Sequence, residues 1–275
     1  MPVAWPESLD VAAEAGFAAI DLVLPEVADW PAAELRERLA EAGVAPGPAS
    51  LPVEFRLDEE RFRRDLGELP RLATLAAALG VRTMFRSIPA SSELPAAELG
   101  PTLRRRVAAI ATILREHGID FALETLGPLH RRREGPHEFV WRLPDAAEFA
   151  TACGPEVGLL VDSWHWHHAG GTSEEIVALG TLIRHVHVAD APDLPPEQIR
   201  DERRLLPGEG VVGHTDFFAA LESAGYDRFA SPEVRGYACN STPVECARAA
   251  LEAAQAVQKT SPLEPAAGEL GWEAS

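Results

Sequence analysis

Helix-like stretches that stop at a glycine and lead at once into a short apolar run recur along this sequence. The stops are Ala15-Gly16, Ala42-Gly43, Leu79-Gly80, His117-Gly118 and Ala224-Gly225. Glycine just past a helix accepts the left-handed backbone that closes the last turn. The helix-like stretches are Leu9–Ala15, Ala32–Ala42, Glu59–Leu79, Ala96–His117, Asp145–Ala152, Ser173–Leu179, Asp216–Ala224 and Thr242–Val257. Between them lie seven strand-like runs: Ala18–Leu24, Ala45–Leu51, Arg82–Ile88, Ile119–Leu126, Val157–Ser163, Leu182–Val188 and Arg228–Val234. Such a beat, repeated without a domain linker, predicts a parallel sheet wrapped by helices. The rival is a doubly wound open sheet, but no glycine-rich phosphate loop follows the early strands. The expected fold is therefore a (β/α)8 TIM barrel, α/β in class.

Seven strands are one short of that barrel. Only Met1 to Trp5 stand before the first helix, and Pro2 and Pro6 each remove a ladder donor. The first strand is expected to be short or missing, with the open seam covered by a loop or a partner subunit. The barrel is expected to occupy residues 1–259 as a single domain. Residues 260–275, rich in Pro, Gly, Ala and Glu, read as a flexible C-terminal tail.

Composition narrows the function classes. A formal charge of −18 argues against nucleic acid as a partner, because that binding is driven by clustered Lys and Arg. No apolar stretch approaches the ~20 residues of a membrane span. The start, Met1-Pro-Val-Ala-Trp-Pro-Glu, has neither the basic opening nor the apolar core of a signal peptide, so a cytoplasmic enzyme is the expectation. Lys259, at the start of the tail, is the chain's one lysine, which leaves no amine for Schiff-base chemistry in a barrel site. Cys153, Cys239 and Cys246 lack zinc-ribbon spacing and are expected to be reduced and at least partly buried.

Four apolar runs end in a metal-binding side chain: Phe121-Ala-Leu-Glu124, Val157-Gly-Leu-Leu-Val-Asp162, Ile183-Arg-His-Val-His187 and Phe229-Ala-Ser-Pro-Glu233. Burying a charge at a strand end costs several kcal/mol unless it is paired or binds a cation. In a parallel barrel these ends converge on the catalytic face. Glu124, Asp162, His187 and Glu233 are thus read as ligands of one divalent metal. Three carboxylates and one imidazole suit Mn2+, Mg2+ or Co2+, and Zn2+ also fits. The bland alternative is that each acid caps a helix or pairs with an arginine. In Asp162-Ser-Trp-His165-Trp-His167-His168, a strand end cannot aim every histidine inward. His165 is assigned to the site, and His167 and His168 to its surroundings or the surface. His185, two residues before His187, is expected deeper in the barrel, held by a hydrogen bond. Arg204, and the run Arg131-Arg132-Arg133, could grip a substrate hydroxyl, carboxylate or phosphate with forked donors or lie in solvated loops.

With Leu123-Glu124, Val161-Asp162-Ser-Trp-His165, His185-Val-His187-Val-Ala-Asp190, Leu206-Pro-Gly-Glu-Gly-Val-Val212 and Ser231-Pro-Glu233, the chain resembles the xylose isomerase-like TIM barrel superfamily of sugar isomerases and epimerases. The resemblance spans nearly the whole chain and is greatest to the inosose isomerase branch. It implies metal ligands at Glu124, Asp162, His187 and Glu233, and substrate contacts at His165 and Arg204. Glu124 and Glu233 are implied as the catalytic pair that shuttles the proton. The stretch after Glu124 departs from the inosose enzymes, so the substrate can differ. The small-molecule partner implied is a sugar or cyclitol, and a homo-oligomer is compatible with the family's habits. The chemistry agrees: a metal polarises a carbonyl and stabilises an enediolate while two carboxylates act as base and acid. The reading is a divalent-metal-dependent isomerase or epimerase of a ketose or keto-inositol. Its rivals are a lyase of the 3-dehydroshikimate dehydratase kind, an endonuclease disfavoured by the acidic charge, and a non-catalytic sugar-binding barrel.

Overall fold

In the computed structural model, which describes residues 3–237, 239–259 and 273–274, each apolar run contributes a strand to one parallel sheet. The strands are β1 (Ala19–Leu22), β2 (Ala45–Ser50), β3 (Thr83–Ser87), β4 (Asp120–Glu124), β5 (Val157–Asp162), β6 (Ile183–Val188) and β7 (Ala230–Pro232). Neighbours in sequence are neighbours in the sheet, from β1 through β7. The connecting helices are α1 (Glu7–Ala15), α2 (Ala32–Ala42), α3 (Glu59–Leu79), α4 (Ala96–Glu116), α5 (Leu143–Thr151), α6 (Ser163–His168), α7 (Ser173–Leu179), α8 (His214–Ser223) and α9 (Pro243–Gln258). All six residues of β5 are buried, as a strand covered on both faces requires. The architecture is the TIM barrel expected from the sequence. Gly16, Gly43, Gly80, Gly118 and Gly225 all take positive φ, as helix stops do.

Residues 3–6 form no strand, in keeping with the expectation for the N-terminus; residues 1 and 2 lie outside the described residues. The edge of β1 is instead met by a two-residue strand, β8 (Glu273–Ala274), which runs parallel to it with Ala19 opposite Glu273 and Ile20 opposite Ala274. β8 also lies near β7, so the end of the chain occupies the place of the missing strand. The rest of the stretch read as a tail falls outside the described residues. No helix among the described residues is long and apolar enough to cross a membrane.

The cysteine expectation needs correction. Cys239 and Cys246 form a disulfide, with Cα atoms 5.8 Å apart, and only Cys153 is a free, buried thiol. The turn into α9 folds the intervening residues back, bringing the pair within disulfide reach. Sequence spacing alone does not report that turn.

Candidate metal centre and active site

Strand register brings the candidate ligands together. In the parallel pairs, Glu124 lies opposite Leu160, and Asp162 lies opposite His187, which lies opposite Ser231. Side chains alternate faces with a period of two, so Glu124, Asp162, His187 and Glu233 share the inward face. One donor atom from each lies within 4.8 Å of all the others. Donors at ~2.0–2.2 Å from one ion lie up to roughly 4.3 Å apart, so closing on a cation needs shifts of a few tenths of an ångström. Glu124, Asp162 and His187 are at most 6 % exposed. His187 Nδ1 is 3.6 Å from Glu124 Oε1 and 3.7 Å from Glu233 Oε2. Neither His187 Nδ1 nor Glu124 Oε1, both buried, has a hydrogen-bond partner among the described residues. Buried polar atoms in this state are costly unless an ion or water completes them. The donor set and these orphaned atoms fit a hard divalent cation.

Asp162 does what the bland alternative proposes and more. Its Oδ1 accepts from the backbone N–H groups of Trp164 (2.7 Å) and His165 (3.3 Å), capping α6. Its Oδ2 accepts from Arg204 Nη1 at 2.7 Å. The same Nη1 is 2.8 Å from Glu233 Oε2, and Nη2 is 3.2 Å from His165 Nε2. Arg204 is 2 % exposed, its guanidinium 4.6 Å from the centre of the Trp164 ring. Because arginine can only donate, His165 Nε2 must accept, and the imidazole is neutral. Burial, aided by the Arg204 charge, pushes the His165 pKa well down.

Asp190 holds Arg204 in place. It accepts from the backbone N–H groups of Ala191, Gly208 and Val212, each at 2.8 Å. A two-way backbone bridge between Asp190 and Leu205 fixes the residue after Arg204. Gly210 belongs to the same clamp: a Cβ there would fall 2.2 Å from Ala191 O. Only glycine lets the loop approach this closely.

The environments of the two glutamates differ in sign. Burial raises the Glu124 pKa, and the nearby Glu233 and Asp162 charges add to this against the lowering effect of His187. Burial would also raise Glu233, but Arg204 and His187 outweigh it and hold its pKa down. Burial works against protonation of His187, yet Glu233 and Glu124 prevail and raise its pKa.

A cavity of about 450 Å³ opens over the centre, with Glu124, His165 and Arg204 in its wall. Arg131 also lines it, held by Asp201 (Nε to Oδ2, 2.7 Å) and by Glu134 (2.6 Å). Arg132 stacks over Trp141 instead, and Arg203 is exposed. His185 sits below the centre, its Nε2 3.3 Å from Ser231 Oγ, as expected. His168 packs edge-on against Trp164 rather than facing the four donors. One neighbour was missed: Asp21 in β1, whose Oδ2 is 3.9 Å from His187 Nε2. Asp21 also groups with His185 and His187 as a second cluster of ligand-type atoms. Its signal is a charged residue in the middle of the apolar run Ala18–Leu24, costly to bury without a partner.

Comparison with known proteins matches a family described as xylose isomerase-like TIM barrel over residues 9–259. An inosose isomerase from Bacillus velezensis is 27 % identical over 241 residues, covering 85 % of this chain and 83 % of that protein. A xylose isomerase domain protein from Alicyclobacillus acidocaldarius superposes with a TM-score of 0.86 at 29 % identity, over 94 % of this chain and 95 % of that one. The IOLI protein, solved with a zinc atom, superposes with a TM-score of 0.80 at 21 % identity over 95 % of each chain, a likeness of fold.

Proposed function

This chain belongs to the xylose isomerase-like TIM barrel family, and we propose that within it the chain is a divalent-metal-dependent isomerase or epimerase. It moves a proton next to the carbonyl of a ketose or keto-inositol. The observation that carries this reading is the convergence of Glu124, Asp162, His187 and Glu233, from four successive strands, on one point at the mouth of the barrel. The relation to an inosose isomerase supports the reaction class.

Glu124, Asp162, His187 and Glu233 would hold the ion. A bound divalent cation supplies polarisation of the substrate carbonyl and stabilises the charge that grows on its oxygen. The residues do the rest. Glu233, kept ionised by Arg204, is the base that takes the proton from carbon. Glu124, across the bound carbon from Glu233, would return a proton on the other side. Neutral His165 and the Arg204 guanidinium orient substrate oxygens, and the burial of Glu124, Asp162 and His187 limits competing water.

The test is solvent deuterium incorporation across a panel of ketoses, inososes and dehydroshikimate with added Mn2+. Exchange at the carbon next to the carbonyl without loss of water supports the proposal. An unsaturated, dehydrated product would replace it with elimination.

A further inference from the structure

Five arginines line the cavity above the centre, although the chain carries 43 acidic against 25 basic side chains. Three are matched locally. Arg131 is bonded to Asp201 and Glu134, Arg204 to Asp162, and Arg235 to Glu233 at 2.8 Å. The other two, Arg56 and Arg86, share a single carboxylate. Glu54 Oε1 accepts from Arg56 Nε at 2.7 Å, and Glu54 Oε2 accepts from Arg56 Nη2 at 2.6 Å and from Arg86 Nη2 at 2.5 Å. One positive charge is therefore in excess at this lip of the cavity. Glu54 is only 12 % exposed and so is a fixed support for the two guanidinium groups rather than a mobile rival for a ligand.

The pair is anchored at Ser87, with one donor left unmet. Arg86 Nε is buried without a hydrogen-bond partner among the described residues, and Arg56 Nη1 donates to Ser87 Oγ at 2.8 Å. Ser87 is the last residue of β3 and lies directly opposite Glu124 in the sheet. Adjacent strands are about 5 Å apart, so Ser87, and with it the Arg56 guanidinium it accepts from, lies next to Glu124. Forked guanidinium donors in a partly desolvated cleft match a planar or tetrahedral oxyanion in geometry and charge.

We infer that the substrate carries an oxyanion group, a carboxylate or a phosphate, bound by Arg56 and Arg86 beside Ser87. The single unit of excess charge favours the singly charged carboxylate. The inference rests on the reading of the centre as one that moves a proton on a sugar, and narrows it to acidic sugars.

Three probes share one ketohexose frame and differ at the far carbon: D-fructose, D-fructuronate and D-fructose 6-phosphate. Calorimetric binding to the Mn2+-loaded protein is expected to favour at least one anion over D-fructose by ~10-fold or more. The preference should shrink with added salt. It should collapse in Arg86→Gln and in Arg56→Gln, with thermal unfolding confirming that each variant is folded. If a variant does not fold, the preference and its salt dependence in the unaltered protein decide the matter. D-fructuronate as the better ligand assigns a carboxylate, and D-fructose 6-phosphate a phosphate. The inference is overturned if D-fructose binds as tightly as both anions, or if neither anion nor inorganic phosphate binds at millimolar concentration. It is also overturned if the preference survives in both variants. Binding is read without turnover, so the two readings fail separately. An anion that binds selectively but exchanges no proton sinks the proposed reaction and leaves the subsite. Neutral sugars that exchange with no anion preference do the reverse.

Discussion

Removing the Asp190 carboxylate should damage stability and substrate binding together. Asp190 is 1 % exposed and accepts three backbone N–H bonds, from Ala191, Gly208 and Val212. Each buried donor left unmet costs about 1–3 kcal/mol. Asp190→Ala therefore loses roughly 3–6 kcal/mol, allowing for local relaxation around the adjacent Ala191. That is a large share of a total stability of about 5–15 kcal/mol, so this variant can fail to fold. Asp190→Asn is the informative change. Its amide oxygen can still accept from Ala191 and Val212, while the amide nitrogen meets the Gly208 N–H as donor against donor. A loss of about 1–3 kcal/mol is expected from this one contact, read by urea unfolding. Arg204 is adjacent to the Asp190–Leu205 bridge, so a loosened loop should raise KM for whichever sugar is turned over. Asp190→Ala with less than ~1 kcal/mol of destabilisation would refute the reasoning, because three unmet buried donors cannot be that cheap.

Glu233→Gln keeps size and a ligating oxygen but removes the base, so turnover should fall by at least ~10²-fold with the metal still bound; near-normal turnover would end the paired-carboxylate mechanism. Arg204→Lys, which loses the forked geometry, should raise KM more than it lowers kcat in steady-state kinetics. Asp21→Asn, behind His187, should weaken Mn2+ binding by ~10–100-fold in a calorimetric titration, the usual worth of a carboxylate supporting a ligand histidine. Burial would raise the Glu54 pKa, but Arg56 and Arg86 together lower it from 4.5 to about 2. A lowered carboxylate pKa stabilises the fold above the unfolded value and loses that contribution as pH falls through the folded one. The stability gap between the native chain and Glu54→Gln should thus be full above pH 4.5 and close toward about pH 2; a gap that widens on acidification would contradict this.

The barrel was legible because helix-stop glycines and apolar runs are local signals, and the strands fall close to where those runs lie. Four centre residues could be read for the same reason: each ends a run, and a parallel barrel gathers run ends. Asp21 lies in the middle of the run Ala18–Leu24 rather than at its end, so the pattern that marked the other four did not mark it. Asp190 stood inside a recognised motif, yet its role depends on a loop returning from residues 205–212, which no local pattern encodes. The arginine pair was harder still. Arg56 and Arg86 stand on either side of α3, and the Glu54 they share becomes visible only when β2 and β3 pair. The disulfide between Cys239 and Cys246 depends likewise on a turn, and the filling of the first-strand position by Glu273–Ala274 on a contact between opposite ends of the chain.

The most direct test of the metal centre is the stoichiometry of Mn2+ binding, by calorimetry or electron paramagnetic resonance, in the native chain and in Glu124→Ala, Asp162→Ala, His187→Ala and Glu233→Ala. One ion per chain is expected, with affinity lost or greatly reduced in every variant and retained when the exposed Arg203 is changed to Ala. Binding of no ion, or of one ion whose affinity is indifferent to His187→Ala and Glu124→Ala, would contradict a centre built from these four strand ends.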